Sequence, residues 1–249
     1  MDIVGKTVIV TGAAGCLGRA IVEHLLDAGA TVVACDRDAD GLATLADGRD
    51  GVIPRTVDLT DAVAVEQAVT EATKQAGTIH ALVNNAGAIR SCPLVRVMQK
   101  EDRLHPVDLW RDTLALNLDT VFNTTRAVAD HMLRGRVKGT IVNVSSVASG
   151  GNAGQTAYSA AKAGVNAMTM VWARELGAMG IRCVAVSPGF IDTDSTHVAL
   201  SDRAVDTLRQ EIPLRRLGRA PDVASAVLHA LANDYLTGKV LPVDGGMVI

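Results

Sequence analysis

The chain has 249 residues, nearly half of them apolar, and a formal net charge of -3 at pH 7. This length is sufficient for one α/β domain with a full core, and the slightly acidic balance provides no basic surface for nucleic acid or an anionic membrane. With only two residues each of Trp, Tyr and Phe, the chain also offers few rings on which bases could stack, so neither nucleic acid nor a membrane is expected as a partner.

The four cysteines are widely spaced and form neither a CxxC pair nor a His/Cys cluster: Cys16, Cys35, Cys92 and Cys183. This pattern is typical of small buried thiols in a reducing compartment, and it predicts no metal site. The sequence also contains no charged leader followed by an apolar segment and no run of eighteen apolar residues. We therefore expect a soluble, cytoplasmic protein.

Short β-branched runs alternate with longer helical patterns along the chain. Several runs are apolar on both faces, as in parallel strands that helices cover on both sides. Strands are predicted over Thr7–Val10, Thr31–Ala34, Val52–Val57, Ile79–Val83, Thr140–Val144, Cys183–Val186 and Val240–Val243. Helices are predicted over Leu17–Ala28, Asp61–Ala76, Leu109–Leu133, Tyr158–Ala178 and Pro221–Ala232. The alternation predicts the α/β class, as a single doubly wound domain over residues 1–249.

A glycine-rich turn, Thr11 to Gly18, follows the first strand and opens the first helix. Glycines at this point let backbone N–H groups and the positive end of the helix dipole approach a pyrophosphate. A tight strand-to-helix turn that binds nothing would have the same sequence. From this turn alone the two interpretations are evenly matched.

The second strand ends at Asp36, which Arg37 follows. A carboxylate at this strand end accepts hydrogen bonds from an adenosine ribose and repels a 2′-phosphate, which favours NAD over NADP. The guanidinium of Arg37 favours the opposite choice, because a 2′-phosphate would bind it. A solvated Asp-Arg pair without a ligand is the remaining alternative.

The next two strand ends also carry polar or small residues. The third strand leads to Asp58, placed to meet an adenine edge, and Thr60 is the predicted N-cap of the following helix. The fourth strand ends at Asn84-Asn85-Ala86-Gly87, where small residues let the backbone approach a flat ligand. An asparagine-rich turn without a ligand is the alternative here.

Asn117 lies within an otherwise apolar helical stretch, Leu114 to Leu118. A buried amide that lacks hydrogen bonds costs about 1 to 3 kcal/mol. Asn117 therefore indicates a polar network, which could hold a structural water or a proton relay.

Tyr158 and Lys162 are four residues apart on a predicted helix, so their side chains leave the same face. An ammonium beside a phenol favours the phenolate and lowers the phenol pKa from its usual value of about 10. The pair would then supply a proton donor and acceptor near neutral pH. The same spacing also arises by chance on amphipathic helices, so the pair alone does not establish catalysis.

The fifth strand ends in Ser145-Ser146, and Tyr158 with Lys162 follows about a dozen residues later. With these residues the chain resembles the short-chain dehydrogenase/reductase family. The resemblance covers essentially the whole chain through an ordered set of motifs: Thr11 to Gly18, Asp58, Asn84 to Gly87, Asn117, Ser145-Ser146, Tyr158 with Lys162, Ser187-Pro188-Gly189 through Thr193, and Val243 to Gly246.

The resemblance implies a Rossmann-type fold with a seven-stranded parallel sheet, helices on both faces, and assembly as a homotetramer or homodimer through the helices at Leu109–Leu133 and Tyr158–Ala178. Tyr158 is the implied general acid/base on the substrate oxygen, and Lys162 the group that lowers its pKa and holds the nicotinamide ribose. Ser146 would hydrogen-bond the substrate oxygen, and Asn117 would keep a water in the proton path. The implied reaction is hydride transfer between NAD and a secondary alcohol or ketone.

The same resemblance implies contacts with the cofactor along five strand ends and one helix, and Asp36 favours NAD over NADP as that cofactor. The residues are Gly12, Gly15, Cys16, Leu17, Gly18, Asp36, Arg37, Asp58, Leu59, Asn85, Ala86, Gly87, Tyr158, Lys162, Pro188, Gly189, Ile191 and Thr193.

Three departures from the family pattern stand out. Cys16 occupies a position that is usually glycine, so its side chain either crowds the pyrophosphate or is absorbed by a shifted turn. The loop before Tyr158 is one residue short, which leaves Ser145 or Ser146 as the catalytic serine; we prefer Ser146 because deletions fall more easily in loops than at strand ends. The segment Ile89 to Trp110 is longer than usual, and we expect a surface excursion rather than a wall of the substrate cleft.

The region 190–214 is where the family has its substrate lid. Its charged residues include Asp192, Asp194, His197, Asp202 and Arg203, and it shows no clear demand for a charged, sugar or steroid substrate.

Two rival functions remain. The stretch Gly151 to Gln155 resembles reductases of 3-oxoacyl thioesters, which usually prefer NADPH, and a non-catalytic dinucleotide sensor would retain the fold without turnover.

Overall fold

The computed structural model describes residues 2–193, 196 and 202–247. Within this part of the chain, seven parallel strands form one sheet in the order β3-β2-β1-β4-β5-β6-β7. The strands are β1 (Thr7–Thr11), β2 (Thr31–Asp36), β3 (Val52–Thr56), β4 (Ile79–Asn84), β5 (Thr140–Val144), β6 (Arg182–Pro188) and β7 (Val240–Val243). Each predicted strand is confirmed to within two residues at either end.

Helices cover both faces of the sheet. They are α1 (Cys16–Asp27), α2 (Ala39–Ala46), α3 (Ala62–Ala76), α4 (Val107–Leu114), α5 (Thr120–Arg134), α6 (Thr156–Leu176), α7 (Asp202–Glu211) and α8 (Ala220–Ala232). The predicted fold, a doubly wound sheet between two helical layers, is confirmed. Neither α2 nor α7 was predicted, and both are short.

Successive side chains of β1 alternate between two hydrophobic cores, one on each face of the sheet. Val8 and Val10 pack with α1 and α8, whereas Ile9 packs on the other side with α3 and α5. Successive side chains of a strand point to opposite faces, so a strand that is apolar at every position must be covered twice. The burial of all five β1 residues follows from this arrangement.

The order in which successive strands join the sheet reverses at β1, which pairs with β2 on one side and with β4 on the other. The carboxyl ends of β1 and β4 therefore flank the topological switch point, where open α/β sheets bind their ligands. The glycine turn after β1 and the asparagine-rich turn after β4 both begin there.

Two local predictions require correction. The helix predicted over Leu109–Leu133 begins earlier, in α4, and a π-helical turn over Ala115–Asp119 separates α4 from α5. The N-cap of α3 is Asp61 rather than Thr60, because the Asp61 carboxylate accepts hydrogen bonds from the backbone N–H groups of Val63 and Ala64 at 2.9 and 3.1 Å.

Three of the four cysteines are buried as predicted, and burial raises the pKa of Cys35 and of Cys183 to about 12. Cys16 is exposed instead, because it begins α1 at the rim of the glycine turn. Among the described residues, no three His, Cys, Asp or Glu side chains are grouped so that they could hold a metal ion. Nor does any helix in the described ranges have the length and apolar character needed to span a membrane.

The environment of His80 on β4 leads us to expect that the free energy of unfolding depends on pH. Its Nδ1 accepts a hydrogen bond from the Thr7 backbone N–H at 3.1 Å, and burial, followed by the charge of Lys6, lowers its pKa from 6.5. The unfolded chain then binds the proton more readily than the folded one. The stabilisation that neutral His80 gives the folded state is therefore fully present above about pH 6.5, the pKa of the unfolded chain. It is lost as the pH falls below that value towards the pKa of His80 in the folded protein.

We expect the free energy of unfolding of the wild type to fall between pH 7 and pH 5 more steeply than that of His80→Asn, measured by urea denaturation. Replacing the exposed His229 of α8 in the same way is the matched control and should leave the wild-type slope unchanged. Parallel slopes for wild type and His80→Asn would rule out this histidine as the source.

Candidate active site

The turn between β1 and α1 packs against the end of β4 so closely that it requires glycine. Gly12 has a φ of +64°, and a Cβ there would lie 2.8 Å from the Ala86 Cα. A Cβ on Gly18 would lie 2.0 Å from the Gly12 carbonyl oxygen. No side chain fits at either position, so the two glycines bring the backbone to the switch point.

The other side of the same turn is open. Gly15 is the N-cap of α1, and a Cβ on it would meet only the Gly12 oxygen within 4 Å, at 3.5 Å. The exposed side chain of Cys16 starts the helix, so the turn absorbs it without disturbing Gly12 or Gly18. Leu17 packs partly into the core. The N-terminus of α1 thus lies beside open space, where its N–H groups and the positive end of the helix dipole favour an anionic group.

The end of β2 places two carboxylates beside this turn. Asp36 accepts hydrogen bonds from the backbone N–H groups of Ala14 at 3.0 Å and of Asp38 at 3.1 Å. Asp38, which sequence reasoning missed, caps α2 by accepting from the Gly41 N–H at 3.0 Å. Arg37 is exposed. The corner next to the glycine turn is therefore acidic on two sides, and backbone N–H groups hold both carboxylates in place.

Thr11 and Asn85 join the ends of β1 and β4. The Thr11 hydroxyl accepts from the N–H groups of Asn85 and Ala86 at 3.0 and 3.1 Å, and the Asn85 amide donates to the carbonyls of Thr11 and Gly12. The Asn85 side chain therefore holds the backbone of the turn in place. Sequence reasoning had not assigned Thr11 this function.

Asp58 lies beyond the end of β3 as an exposed carboxylate. Hydrogen bonds from the Thr60 hydroxyl, at 2.7 Å, and from the Thr60 N–H lower its pKa. Leu59 is buried, and its carbonyl accepts from the Asn123 amide at 3.1 Å. Asp58 is thus charged and available at this edge, while the side chain of Leu59 belongs to the core.

Of the two serines after β5, Ser146 is the one beside Tyr158. The Ser146 side chain lies close enough to the Tyr158 phenol to lower its pKa. Ser145 is buried, and its hydroxyl donates instead to the Lys162 carbonyl at 3.3 Å. The preference for Ser146 over Ser145, drawn from the strand alignment, agrees with this geometry.

The pKa of Tyr158 shows that one expectation was wrong. Burial raises this pKa, and the hydrogen bond with Ser146 lowers it by less. Lys162 does not have the predicted lowering effect, because its Nζ lies 5.8 Å from the Tyr158 ring centroid and donates to the Val144 carbonyl at 2.8 Å. Desolvation disfavours the charged phenolate, so the phenol is neutral near pH 7.

Lys162 and Asn117 meet around the exposed Gly87. A Cβ on Gly87 would lie 2.6 Å from the Asn117 Oδ1 and 3.5 Å from the Lys162 Nζ. Burial lowers the pKa of Lys162 to about 8. Asn117 is fully buried on the π-helical turn, and its amide accepts from the Ala88 N–H and donates to the carbonyls of Ala88 and Thr113. The polar network predicted for Asn117 is therefore present.

The end of β6 borders the same region. Pro188 ends the strand, and a Cβ on Gly189 would lie 2.8 Å from the Asp244 Cα. Ile191 is buried and pairs with Gly218, and the Thr193 hydroxyl is hydrogen-bonded to Thr196 at 3.1 Å. Asp194 and His197, named for the lid, lie outside the described residues.

Residues 6–204 match the short chain dehydrogenase family. The chain belongs to this family. It is 41% identical to a 3-oxoacyl-(acyl-carrier-protein) reductase of Thermotoga maritima, with 100% of both chains covered, and 36% identical to the Escherichia coli protein of that name, with 99% covered. A crystal structure of a short chain dehydrogenase/reductase family oxidoreductase from Burkholderia thailandensis superimposes with a TM-score of 0.86 at 34% identity, covering 97% of this chain and 92% of that one.

As a member of this family, the protein is an oxidoreductase that binds a nicotinamide cofactor and acts on CH–OH or ketone groups, which confirms the predicted family and enzyme class. Its hydroxyl pair, Ser146 and Tyr158, lies where β5 ends, and the glycine turn lies where β1 ends. Parallel strands bring these carboxyl ends to one edge of the sheet.

A cleft of about 580 Å³ lies next to this edge. Its walls include Ser91, Asn152 and Gln155 on one side and Phe190 and the helix α7 on the other. Gln155 is the N-cap of α6, so the cleft reaches the start of the helix that carries Tyr158 three residues further along. It has the size expected of a small-molecule site.

The segment between β4 and α4 contributes to that cleft only at its beginning, through Ser91. Further along, Leu94, Val97 and Met98 are 67%, 71% and 94% exposed. Most of this segment is a surface excursion, as expected, but its first residues form part of the wall. The contacts of Ser91 could not have been found from the sequence, because no chemical motif marks them.

Proposed function

We propose that the protein transfers hydride between NAD(H) and a secondary alcohol or ketone, with Ser146, Tyr158, Lys162 and Asn117 as its site. The observation that supports this proposal is the buried Tyr158 phenol beside the Ser146 side chain, which lowers the phenol pKa. Lys162 lies one turn further along the same helix and is buried. A paired serine and tyrosine can hold one substrate oxygen between them.

Proton transfer falls to Tyr158. When bound, the nicotinamide ring supplies the hydride acceptor or donor. Before oxidation, the phenol passes its own proton to the water that Asn117 would hold. The C–H bond of the carbinol carbon then breaks with its electron pair leaving as hydride to the nicotinamide, the C=O bond forms, and the hydroxyl proton passes to the Tyr158 phenolate oxygen. Reduction reverses each of these changes. Because burial keeps the phenol protonated near neutral pH, the folded protein is prepared to donate a proton to a carbonyl oxygen.

Lys162 and Ser146 position the reacting groups. The Lys162 ammonium, anchored to the Val144 carbonyl, retains two further N–H donors for the cofactor ribose. With a pKa of about 8 it is mostly protonated at pH 7. Ser146 holds the substrate oxygen within reach of Tyr158. Asn117, held by Ala88 and Thr113, keeps a second lone pair on Oδ1 that can accept from a water in the proton path.

NAD is the cofactor that the acidic corner favours. Asp36 and Asp38 lie beside the glycine turn, where the adenosine ribose of a dinucleotide would bind. A ribose hydroxyl can donate to a carboxylate, whereas a 2′-phosphate would be repelled by two carboxylates. Arg37 lies between these two aspartates in the sequence, and its side chain is exposed.

The test is a fluorescence titration of NADH and NADPH. We expect wild type to bind NADH more tightly, and Asp36→Ala to weaken NADH binding by about 10- to 100-fold, the usual effect of losing a hydrogen bond to a charged group. Asp40→Ala, an exposed carboxylate in the first turn of α2, is the matched control and should bind both nucleotides like wild type. Tighter binding of NADPH by the wild type would refute the NAD assignment.

Reduction of a 3-oxoacyl thioester is the second candidate, and the names of the relatives at 36 to 41% identity favour it. The resemblance to that branch implies NADPH. Comparing kcat/KM for a 3-oxoacyl thioester with that for a simple ketone, each with NADH and with NADPH, separates the two candidates. A preference for thioester together with NADPH would replace the first proposal.

We also propose that residues 1–249 form one domain, which the single continuous sheet supports. Assembly into a homodimer or homotetramer through α5 and α6 is supported by apolar side chains on those helices that are between 41% and 48% exposed, namely Phe122, Met170 and Val171.

A further inference from the structure

Among the described residues that line the cleft next to the start of α6, Arg203 is the charged one. The helix α7 contributes it from one wall, together with Leu208. The opposite wall consists of uncharged polar groups. None of the lining residues that the structure describes is a carboxylate.

Arg203 is exposed and available to a ligand. Among the side chains that the structure describes, no carboxylate lies within ion-pair distance of it. Asp206, on the next turn of α7, is paired with Arg209 at 3.3 Å instead. The guanidinium therefore retains its fork of donors, which suits a carboxylate or a phosphate.

The polar side chains of the opposite wall are uncharged and hydrogen-bonded to one another, so Arg203 is the charged group that an anion would meet there. The Asn152 amide donates to the Gln155 Oε1 at 3.2 Å, and the Gln155 amide donates to the Ser91 hydroxyl at 3.4 Å. Phe190 and Leu208 provide apolar surface in the same cleft. The cleft is thus suited to a short carbon chain that ends in a negative charge.

We infer that Arg203 selects substrates that carry an anionic group a few carbons from the reacting carbon. This inference rests on the proposed alcohol/ketone chemistry and adds its substrate class, an oxo or hydroxy acid or an ester or thioester bearing a phosphate. The carboxylate and the phosphate share the chemistry that Arg203 recognises. A carbonyl held at Ser146 and Tyr158 would extend its charged end towards α7.

The experiment compares a 3-oxo acid, its uncharged methyl ester, and a 3-oxoacyl thioester whose carrier arm has a phosphate. We expect wild type to prefer the acid or the phosphorylated thioester over the methyl ester. Arg203→Gln should raise KM for the preferred anionic substrate by about 10-fold or more with little change in kcat, because it removes binding and not proton transfer. KM for the methyl ester should stay within about twofold.

Arg209→Gln on the same helix is the matched control, since Arg209 is paired with Asp206 and does not line the cleft. It should leave all three KM values unchanged, and Arg203→Lys should restore part of the preference. An effect of Arg203→Gln on the acid alone identifies a carboxylate, and an effect on the phosphorylated thioester alone identifies a phosphate.

Equal use of the acid and its ester by wild type, with no preference for the phosphorylated thioester, would overturn the inference. So would an equal loss for charged and uncharged substrates in Arg203→Gln. Turnover of the methyl ester reports the proposed chemistry independently, so the two failures are distinguishable. If none of the three compounds is turned over, binding is measured instead, as the rise in melting temperature that the acid or the phosphorylated thioester gives in the presence of NADH. The inference fails if neither compound stabilises wild type more than Arg203→Gln.

Discussion

Replacing Tyr158 with Phe is expected to lower kcat by about 10²- to 10⁴-fold, the usual contribution of a positioned general acid/base. The substitution removes one hydroxyl and keeps the ring that is buried at the start of α6. Losing the hydroxyl beside Ser146 should cost the fold no more than about 1 kcal/mol, the usual net contribution of one side-chain hydrogen bond. NADH binding should stay within about twofold of wild type, so the loss would lie in the chemical step.

The chain provides its own control, because it has only two tyrosines. Tyr235 is 99% exposed and is not among the described residues that line the cleft, so Tyr235→Phe should keep wild-type kcat. Stopped-flow measurement of NADH absorbance with a good alcohol or ketone substrate gives kcat for both variants. Retention of more than a tenth of wild-type kcat by Tyr158→Phe would remove this residue from proton transfer. Tight NADH binding by a wild type that shows no turnover with any substrate would instead favour a dinucleotide sensor.

The sheet could be predicted because its signal is local and strong. Strands that are buried on both faces are apolar at nearly every position, as in β1, and glycine or aspartate marks where they end. The positions of the glycine turn and of Asp36 followed from the strands, since both lie at carboxyl ends. The short helix α2 was missed, although Asp38 is an ordinary N-cap for it.

Features of the site that depend on contacts distant in sequence could not be predicted. The π-helical turn at Ala115–Asp119 accompanies hydrogen bonds between Asn117 and Ala88, 29 residues away. The pKa of Tyr158 depends on how deeply the phenol is buried and on where the Lys162 ammonium points, and neither quantity is present in the i, i+4 spacing. Helical geometry placed the two side chains on one face, but tertiary packing determined the direction of the pKa shift.

Replacing Gly18 with Ala is expected to destabilise the fold by about 3 kcal/mol or more, at or above the usual upper range for overpacking a well-packed site. The added Cβ would lie 2.0 Å from the Gly12 oxygen and 2.8 Å from the Ala13 Cα, and both are backbone atoms that cannot rotate away. Relief requires α1 to move away from the turn. That movement would displace the N–H groups that face the pyrophosphate, so NADH affinity should fall together with stability.

Gly15→Ala, in the same turn, separates the two effects. Gly15 has a negative φ of -74° and open space around its Cβ position, so the variant should unfold within about 1 kcal/mol of wild type. Its new methyl group would point into the space proposed for the pyrophosphate, so NADH binding should weaken without loss of stability. Urea denaturation and NADH titration measure both quantities. Equal stability of Gly18→Ala and wild type would show that the turn is not packed as described, and unchanged NADH binding by Gly15→Ala would place the pyrophosphate elsewhere.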